Sequence, residues 1–189
     1  MANNKGAVVV LAIIALAAAG LSGYLFTTDL LSRNEVVEYS NLKVVAVWDS
    51  LKKNIVNNPN HNTDDDFLVE FSNPYILDEN YVSVITGTRF SLPKNGMYKI
   101  TLNILWTGLD DGDAYWIKLL RNNTQYQYFD YFVTATPTAF TYKYTFSSVF
   151  VNSTGGDEYY EINAESYASA FGVYENEYYN YLSIEYVIQ

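Results

Sequence analysis

Apolar and polar positions follow two different rules along this chain. From Ala7 to Phe26 the run AVVVLAIIALAAAGLSGYLF carries no charge, whereas beyond it apolar residues recur at alternate positions in short stretches broken by turn-forming residues. Alternation with a period of two marks a half-buried strand, because successive side chains leave a pleated backbone on opposite faces. Tyr98, Ile100, Leu102, Ile104 and Trp106 share one face, with Lys99, Thr101 and Asn103 on the other. Phe140, Tyr142, Tyr144, Phe146 and Phe150 repeat the pattern against Thr141, Lys143, Thr145 and Ser147, and Leu182, Ile184, Tyr186 and Ile188 repeat it against Ser183 and Glu185. Each reads as a half-buried strand whose apolar face is the one to bury. Turn signals at Asn57-Asn58-Pro59-Asn60, Pro93-Lys94-Asn95-Gly96, Asp110-Asp111-Gly112-Asp113, Arg121-Asn122-Asn123 and Ser153-Thr154-Gly155-Gly156-Asp157 punctuate the runs. Strands are predicted over 43–49, 67–71, 81–85, 88–92, 97–107, 114–121, 125–134, 139–151, 158–165, 168–174 and 180–188. Many short antiparallel strands of this kind predict an all-β, two-sheet sandwich or barrel.

The uncharged run predicts a single amino-terminal apolar helix. Twenty residues at about 1.5 Å each reach the roughly 30 Å of a bilayer's hydrocarbon core. Lys5 and the amino terminus precede the run and the first acid, Asp29, follows it, so the bias of positive charge toward the cytoplasm places the carboxy-terminal part outside. The chain is therefore expected to comprise a cytoplasmic start and membrane-spanning helix over 1–26, a connector over 27–42 and an extracellular domain over 43–189. Two other readings compete. Small residues at Ala17 to Ala19 suit signal-peptide cleavage, and Lys5-Gly6-Ala7 resembles the processing site of type IV pilin-like proteins. Leu21, Tyr24, Leu25 and Phe26 continue the apolar run past the first site, and Leu11 stands where a pilin-like protein carries Glu.

Composition sharpens the outer part. Lysine and arginine total 11 and aspartate and glutamate 21, so removing Lys5 leaves 10 against 21, about −11 on the residues beyond the helix. Nucleic acid is excluded as a partner, since phosphate binding needs clustered basic residues. Cysteine is absent, so no disulfide staples the domain and its stability must come from packing, oligomerisation or bound ions. Tyrosine is abundant, 19 residues beside 10 Phe and 3 Trp, a bias that suits pleated surfaces.

Two stretches add a resemblance. Phe67-Leu68-Val69-Glu70-Phe71 and the segment Gly87 to Tyr98, with its Phe90, Pro93, Gly96 and Tyr98, resemble the globular head of the complement C1q and tumour necrosis factor superfamily, where such a segment leads into a long central strand. Trp116 to Asn123, Phe140 through Gly156-Asp157 and Tyr181 to Ile188 follow in the same order, so the resemblance covers about 120 residues. It implies a ten-stranded jelly roll whose protomers form a trimer, with ligands on the outer loops and flanks. No collagen-like stalk is present, and residues 27–42 are too short for a substantial coiled coil, so a trimer would rest on the head and on the anchor. Tyr131, Tyr159 and Val149 are assigned to outward faces that pack between protomers.

Catalytic chemistry is sparse, and the chain reads as a non-enzyme. His61 is the single histidine and lies in the polar loop Asn60 to Asp64, where a solvated role is expected. No nucleophile elbow, phosphate loop or dinucleotide fingerprint is present. Asp64, Asp65 and Asp66, and likewise Asp110, Asp111 and Asp113, cluster carboxylates in loops as a hard cation such as calcium requires, although neither has EF-hand spacing. The bland alternative is a pair of solvated turns that keep a β protein soluble. Asn122-Asn123-Thr124 and Asn152-Ser153-Thr154 are glycosylation sequons in predicted turns. Three functional classes remain: a membrane-anchored surface protein with a trimeric head for recognition or adhesion; a structural subunit of a filament, surface layer or virion; and a carbohydrate-binding module using Tyr174, Tyr178 and Tyr179.

Overall fold

The computed structural model describes residues 41–55, 59–71, 73–134, 142–175 and 179–188, all within the unit Asn41–Gln189. The predicted spanning segment Ala7 to Phe26, the connector up to Ser40, and Phe140 and Tyr178 lie outside the described residues. Among the described residues no helix is long and apolar enough to cross a membrane.

Among the described residues thirteen strands follow in order: β1 (Leu42–Trp48), β2 (Leu51–Asn54), β3 (Asp66–Phe71), β4 (Ile76–Leu77), β5 (Ser83–Thr86), β6 (Arg89–Ser91), β7 (Gly96–Thr107), β8 (Ala114–Arg121), β9 (Thr124–Val133), β10 (Tyr142–Ser153), β11 (Tyr159–Ser166), β12 (Gly172–Val173) and β13 (Tyr181–Val187). Their pairings are antiparallel and build two sheets. The first runs β10-β7-β13-β1-β4, with β12 against the end of β7. The second runs β2-β3-β11-β6-β5, with β8 on the other edge of β11 and β9 beyond it. Each of the eleven predicted strands has a counterpart. β2 and β4 were not predicted: β2 is Leu-Lys-Lys-Asn with Leu51 alone buried, and β4 is two residues long.

The inner faces of the two sheets meet in one apolar core. From β7 come Tyr98, Ile100, Leu102, Ile104 and Trp106, all without solvent exposure, as the alternation predicts. β13 adds Leu182 and Ile184 beside them. The second sheet answers with Phe67, Val69 and Phe71, with Tyr115, Ile117 and Leu119, and with Tyr160, Ile162 and Ala164. Aromatic rings gather in two places. Trp48, Phe71 and Phe90 pack with centroids 5.1 to 6.2 Å apart, and Phe171 lies 4.9 Å from both Phe67 and Tyr115.

The segment that suggested a family is a tightly packed corner. Phe90 and Leu92 are buried, and the Tyr98 hydroxyl donates within reach of two carbonyls, Lys94 at 2.8 Å and Tyr81 at 3.2 Å. Gly96 has φ +139°, and a Cβ there would lie 2.6 Å from the Tyr186 hydroxyl oxygen, so both backbone and space demand glycine. Gly155, at φ +73°, passes the Pro93 carbonyl at a distance that leaves a Cβ only 2.9 Å away. The hairpin between β8 and β9 turns on Asn122 and Asn123 at φ 52° and 62°, the left-handed pair that a two-residue turn requires.

One strand is inverted relative to expectation. In β10 the inward positions are Thr145, Val149, Val151 and Ser153, and the aromatic row Tyr142, Tyr144, Phe146 and Phe150 is exposed. Register decides this. Tyr144 pairs with Leu105, Phe146 with Asn103 and Phe150 with Lys99, so the row shares the face of β7 that points away from Ile100, Leu102 and Ile104. Thr145 is tolerated inside because its hydroxyl is satisfied twice: Trp106 Nε1 donates to it at 2.9 Å, and it donates to Asp130 Oδ2 at 2.8 Å. Val149, assigned from sequence to an outward face, is also inside, because it pairs with Ile100 of β7.

Candidate functional site

The inverted strand gives the first sheet an aromatic outer face. Phe146 is 67% exposed at its centre, an unusual position for so large an apolar ring, and Tyr142, Tyr144 and Phe150 continue the row along β10. Partners across the sheet extend it: Asn103 lies between Phe146 and Tyr181, and beyond β13 the exposed Val44 and Ile76 belong to the same side. At one end Tyr142 and Tyr174 meet edge to face with centroids 5.6 Å apart, and Tyr174 lies 6.2 Å from Tyr179. Asn180 holds this end in place, its Oδ1 accepting from Leu105 N at 2.8 Å while its Nδ2 donates to the Tyr174 carbonyl. At the other end the Lys99 and Glu185 ion pair, 3.0 Å apart, flanks Phe150.

Polar groups under the aromatics are few and unevenly satisfied. Thr101 and Ser148 hydrogen-bond each other at 2.8 Å across β7 and β10. Asn103 is buried although it stands on the outer face, and its Oδ1 has no hydrogen-bond partner among the described residues. Burial also pushes the nearby Tyr181 hydroxyl above its ordinary pKa. The face thus combines an exposed aromatic row, interrupted at Ser148, with a buried amide oxygen that has no donor among the described residues.

The residues singled out from sequence are spread elsewhere. Asp64, Asp65 and Asp66 diverge. Asp64 Oδ1 accepts from Lys53 Nζ at 2.6 Å, and that hydrogen bond holds the carboxyl below its ordinary pKa. The Asp65 carbonyl accepts from Ser166 N at 2.7 Å. Asp66 accepts from Asn163 Nδ2 at 2.7 Å and sits 2.8 Å from His61 Nδ1. Desolvation works to raise the Asp66 pKa, but the hydrogen bonds from His61 and Asn163 outweigh it and the net direction is downward. His61 is thus half-buried and paired with Asp66, where a solvated loop residue was expected.

In the second acidic cluster Asp110 accepts from the Thr134 hydroxyl through its carbonyl, and its amide donates to the Tyr115 hydroxyl at 2.8 Å. Asp113 is buried and accepts from Ala114 N at 2.8 Å, while Asp111 is exposed at the turn. Among the described residues no three His, Cys, Asp or Glu side chains converge to hold a metal ion.

Asn122 and Asn152 are both exposed. Asn122 stands in the predicted turn, but Asn152 is the penultimate residue of β10 and not a turn residue. Tyr174 and Tyr179 belong to the aromatic face, Tyr131 is exposed on β9, and Tyr159 is half-buried beneath the Arg89 guanidinium, which lies 4.1 Å from its ring.

No protein-family model matches the chain, and no curated protein matches it in sequence. Solved structures do match in shape. Murine APRIL crystallised at pH 8.0 aligns with a TM-score of 0.51 at 10% identity, over 75% of this chain and 98% of that one. The pH 5.0 crystal form of murine APRIL aligns with a TM-score of 0.50 at 9% identity, over 73% and 98% of the two chains. APRIL is a member of the tumour necrosis factor superfamily, and at this identity the likeness establishes the fold: the domain is an antiparallel, TNF-like jelly roll.

Proposed function

We propose that the chain is a non-enzymatic recognition protein of the cell surface, a TNF-like head that works as a homotrimer and is held to a membrane by the run Ala7 to Phe26. The observation that carries this reading is the aromatic outer face of the first sheet. A soluble monomer gains nothing from exposing Phe146 beside Tyr142, Tyr144 and Phe150, whereas burial against another copy removes that area from water. Resemblance to the tumour necrosis factor head supports threefold closure and an external partner on the outer loops and flanks. The uncharged run and the charges around it support outward display.

A self-assembling structural subunit is the second reading. It is favoured by β5, a four-residue edge strand exposed along its whole length that presents Val84 and Ile85. Closed and open assemblies differ in whether mass saturates with concentration.

The absence of cysteine makes a direct test simple. Tyr167→Cys replaces an exposed residue away from the aromatic face, and Ser148→Cys introduces a thiol on that face. In intact cells making the full chain, a membrane-impermeant maleimide is expected to label Tyr167→Cys and to spare Ser148→Cys. Equal labelling of both contradicts the interface, and failure to label Tyr167→Cys until the cells are broken contradicts outward display.

A further inference from the structure

The outer face of the second sheet contains a cavity that the recognition reading does not use. β3 and β6 both pair with the same edge of β11, β3 at Asn163 to Glu165 and β6 at Tyr159 and Tyr160, so the sheet parts between them beside Glu161. Phe71 N donates to the Gly87 carbonyl at 2.8 Å across the parting. The resulting cavity is about 320 Å³, at the small end of ligand sites, and its walls include Asn54, Glu70, Gly87, Thr88, Arg89 and Glu161.

Its chemistry is that of a built acceptor site. Glu161 has no solvent exposure. Its Oε1 accepts from Arg89 Nε at 3.1 Å and Nη2 at 2.9 Å, while the buried Oε2 has no hydrogen-bond partner among the described residues. A carboxylate oxygen buried without a donor is costly, so the site lacks a donor. Glu70 faces the same space and receives Asn54 Nδ2 on Oε2 at 2.5 Å. Two carboxylates against one guanidinium leave a net negative charge, and Arg89 is already committed to Glu161 and to the Tyr159 ring. Gly87 leaves its part of the wall bare, and a Cβ there would touch Glu70 Cγ at 3.4 Å.

We propose that this cavity binds an alkylammonium group, with Glu70 and the Thr88 hydroxyl accepting two of its N–H donors and a small rotation of the Glu161 carboxylate bringing Oε2, which has no exposed surface as it stands, to the third. An anion is opposed by both carboxylates. A divalent cation would find two carboxylates, one of them already paired with Arg89, which is fewer oxygen ligands than calcium takes. The negative charge of the whole chain draws a cation toward the mouth. The group arrives either on a free amine or on a lysine side chain, and the two sources share the same ammonium chemistry.

Isothermal titration of the full chain in detergent, at low salt, tests this with propylammonium chloride and with Nα-acetyl-lysine amide as probes. Saturable binding of one probe per protomer is expected. It should weaken about tenfold or more in Glu161→Gln and in Glu70→Gln. It should weaken equally in Gly87→Leu, which keeps every charge and fills the space. Gly87 has no left-handed backbone to strain and Glu70 is partly exposed, so these two variants keep the test valid if Glu161→Gln fails to fold. Tighter binding of the acetyl-lysine amide assigns the site to a lysine side chain, and tighter binding of propylammonium assigns it to a free amine. No saturable binding of either probe, undiminished binding in Gly87→Leu, or preference for calcium chloride or methyl glucoside overturns the proposal. The oligomeric state plays no part in these outcomes.

Discussion

Gly96 begins the long central strand at φ +139°, and the Tyr186 ring fills the space where a side chain would start. Tyr186 is itself fixed, its hydroxyl donating to the Asn95 carbonyl at 3.1 Å and its ring meeting Tyr98 at 5.1 Å. Gly96→Ala is therefore expected to cost about 2 kcal/mol or more, from backbone strain and displacement of that ring. A chemical denaturation midpoint checks it, with Gly112→Ala as the reference, since Gly112 shares a positive φ but has nothing within 4 Å of its Cβ position. Thr145 offers a second residue-level test. Thr145→Val keeps the shape but leaves Trp106 Nε1 without its acceptor inside the core and removes the donor to Asp130, a loss of about 1 to 3 kcal/mol by the same measurement. The segment with Phe90, Pro93, Gly96 and Tyr98 stood out in the sequence through its resemblance to a known head, whereas the contacts that make it a corner, Tyr186 against Gly96 and Gly155 against Pro93, join residues far apart in the chain. The Asp66, His61 and Asn163 cluster was not legible either, because it joins residues 97 positions apart that only the pairing of β3 with β11 brings together.

At the scale of elements, alternation located β7 and β13 and told their two faces apart, since Tyr98, Ile100, Leu102, Ile104 and Trp106 alternate with Lys99, Thr101 and Asn103, and Leu182 and Ile184 with Ser183 and Glu185, although Ile188, expected on the same face, is exposed. The same rule located β10 but pointed its faces the wrong way. Aromatics are the more apolar row, yet the β7 register commits Thr145, Val149 and Val151 to the core. A period of two says that a strand has two faces, and the partner strand decides which one is covered. The consequence is testable by paired substitutions. Phe146→Ser with Tyr144→Ser is expected to abolish association while leaving the strand signal in circular dichroism unchanged. Val151→Ser, on the inward row, is expected to lower the unfolding midpoint by about 2 kcal/mol or more of stability. Loss of fold in the first pair, with no effect in the second, would reverse the assignment of faces. β2 escaped sequence reading for the opposite reason. Lys52, Lys53 and Asn54 carry no apolar pattern, and the strand exists through its pairing with Val69, Glu70 and their neighbours on β3.

For the whole molecule, buried tyrosines set an upper limit on tolerated pH. Desolvation is the leading cause that raises the Tyr98, Tyr115 and Tyr160 hydroxyls above their ordinary value near pH 10. In the unfolded chain these groups ionise at the ordinary value. Their contribution is therefore fully present below about pH 10 and is lost as the pH rises through the higher folded values. Denaturation midpoints followed into alkali, with the ultraviolet signal of tyrosine ionisation as a second readout, are expected to show cooperative unfolding accompanying ionisation of these residues. Independent ionisation of all tyrosines at the ordinary value without unfolding would contradict their burial.

The fold class was visible from strand number and turn chemistry, and the likeness to APRIL bears out the jelly roll. The candidate site was visible only as an excess of aromatic residues, because its location depends on which sheet β10 joins and which way it faces. The claim on which the functional reading turns is that this face is covered by other copies of the chain. Sedimentation equilibrium of the full-length protein in density-matched detergent tests it directly. The account predicts a single species of three times the 21.5 kDa chain mass that does not grow with concentration. A species of one chain mass at every concentration would contradict it.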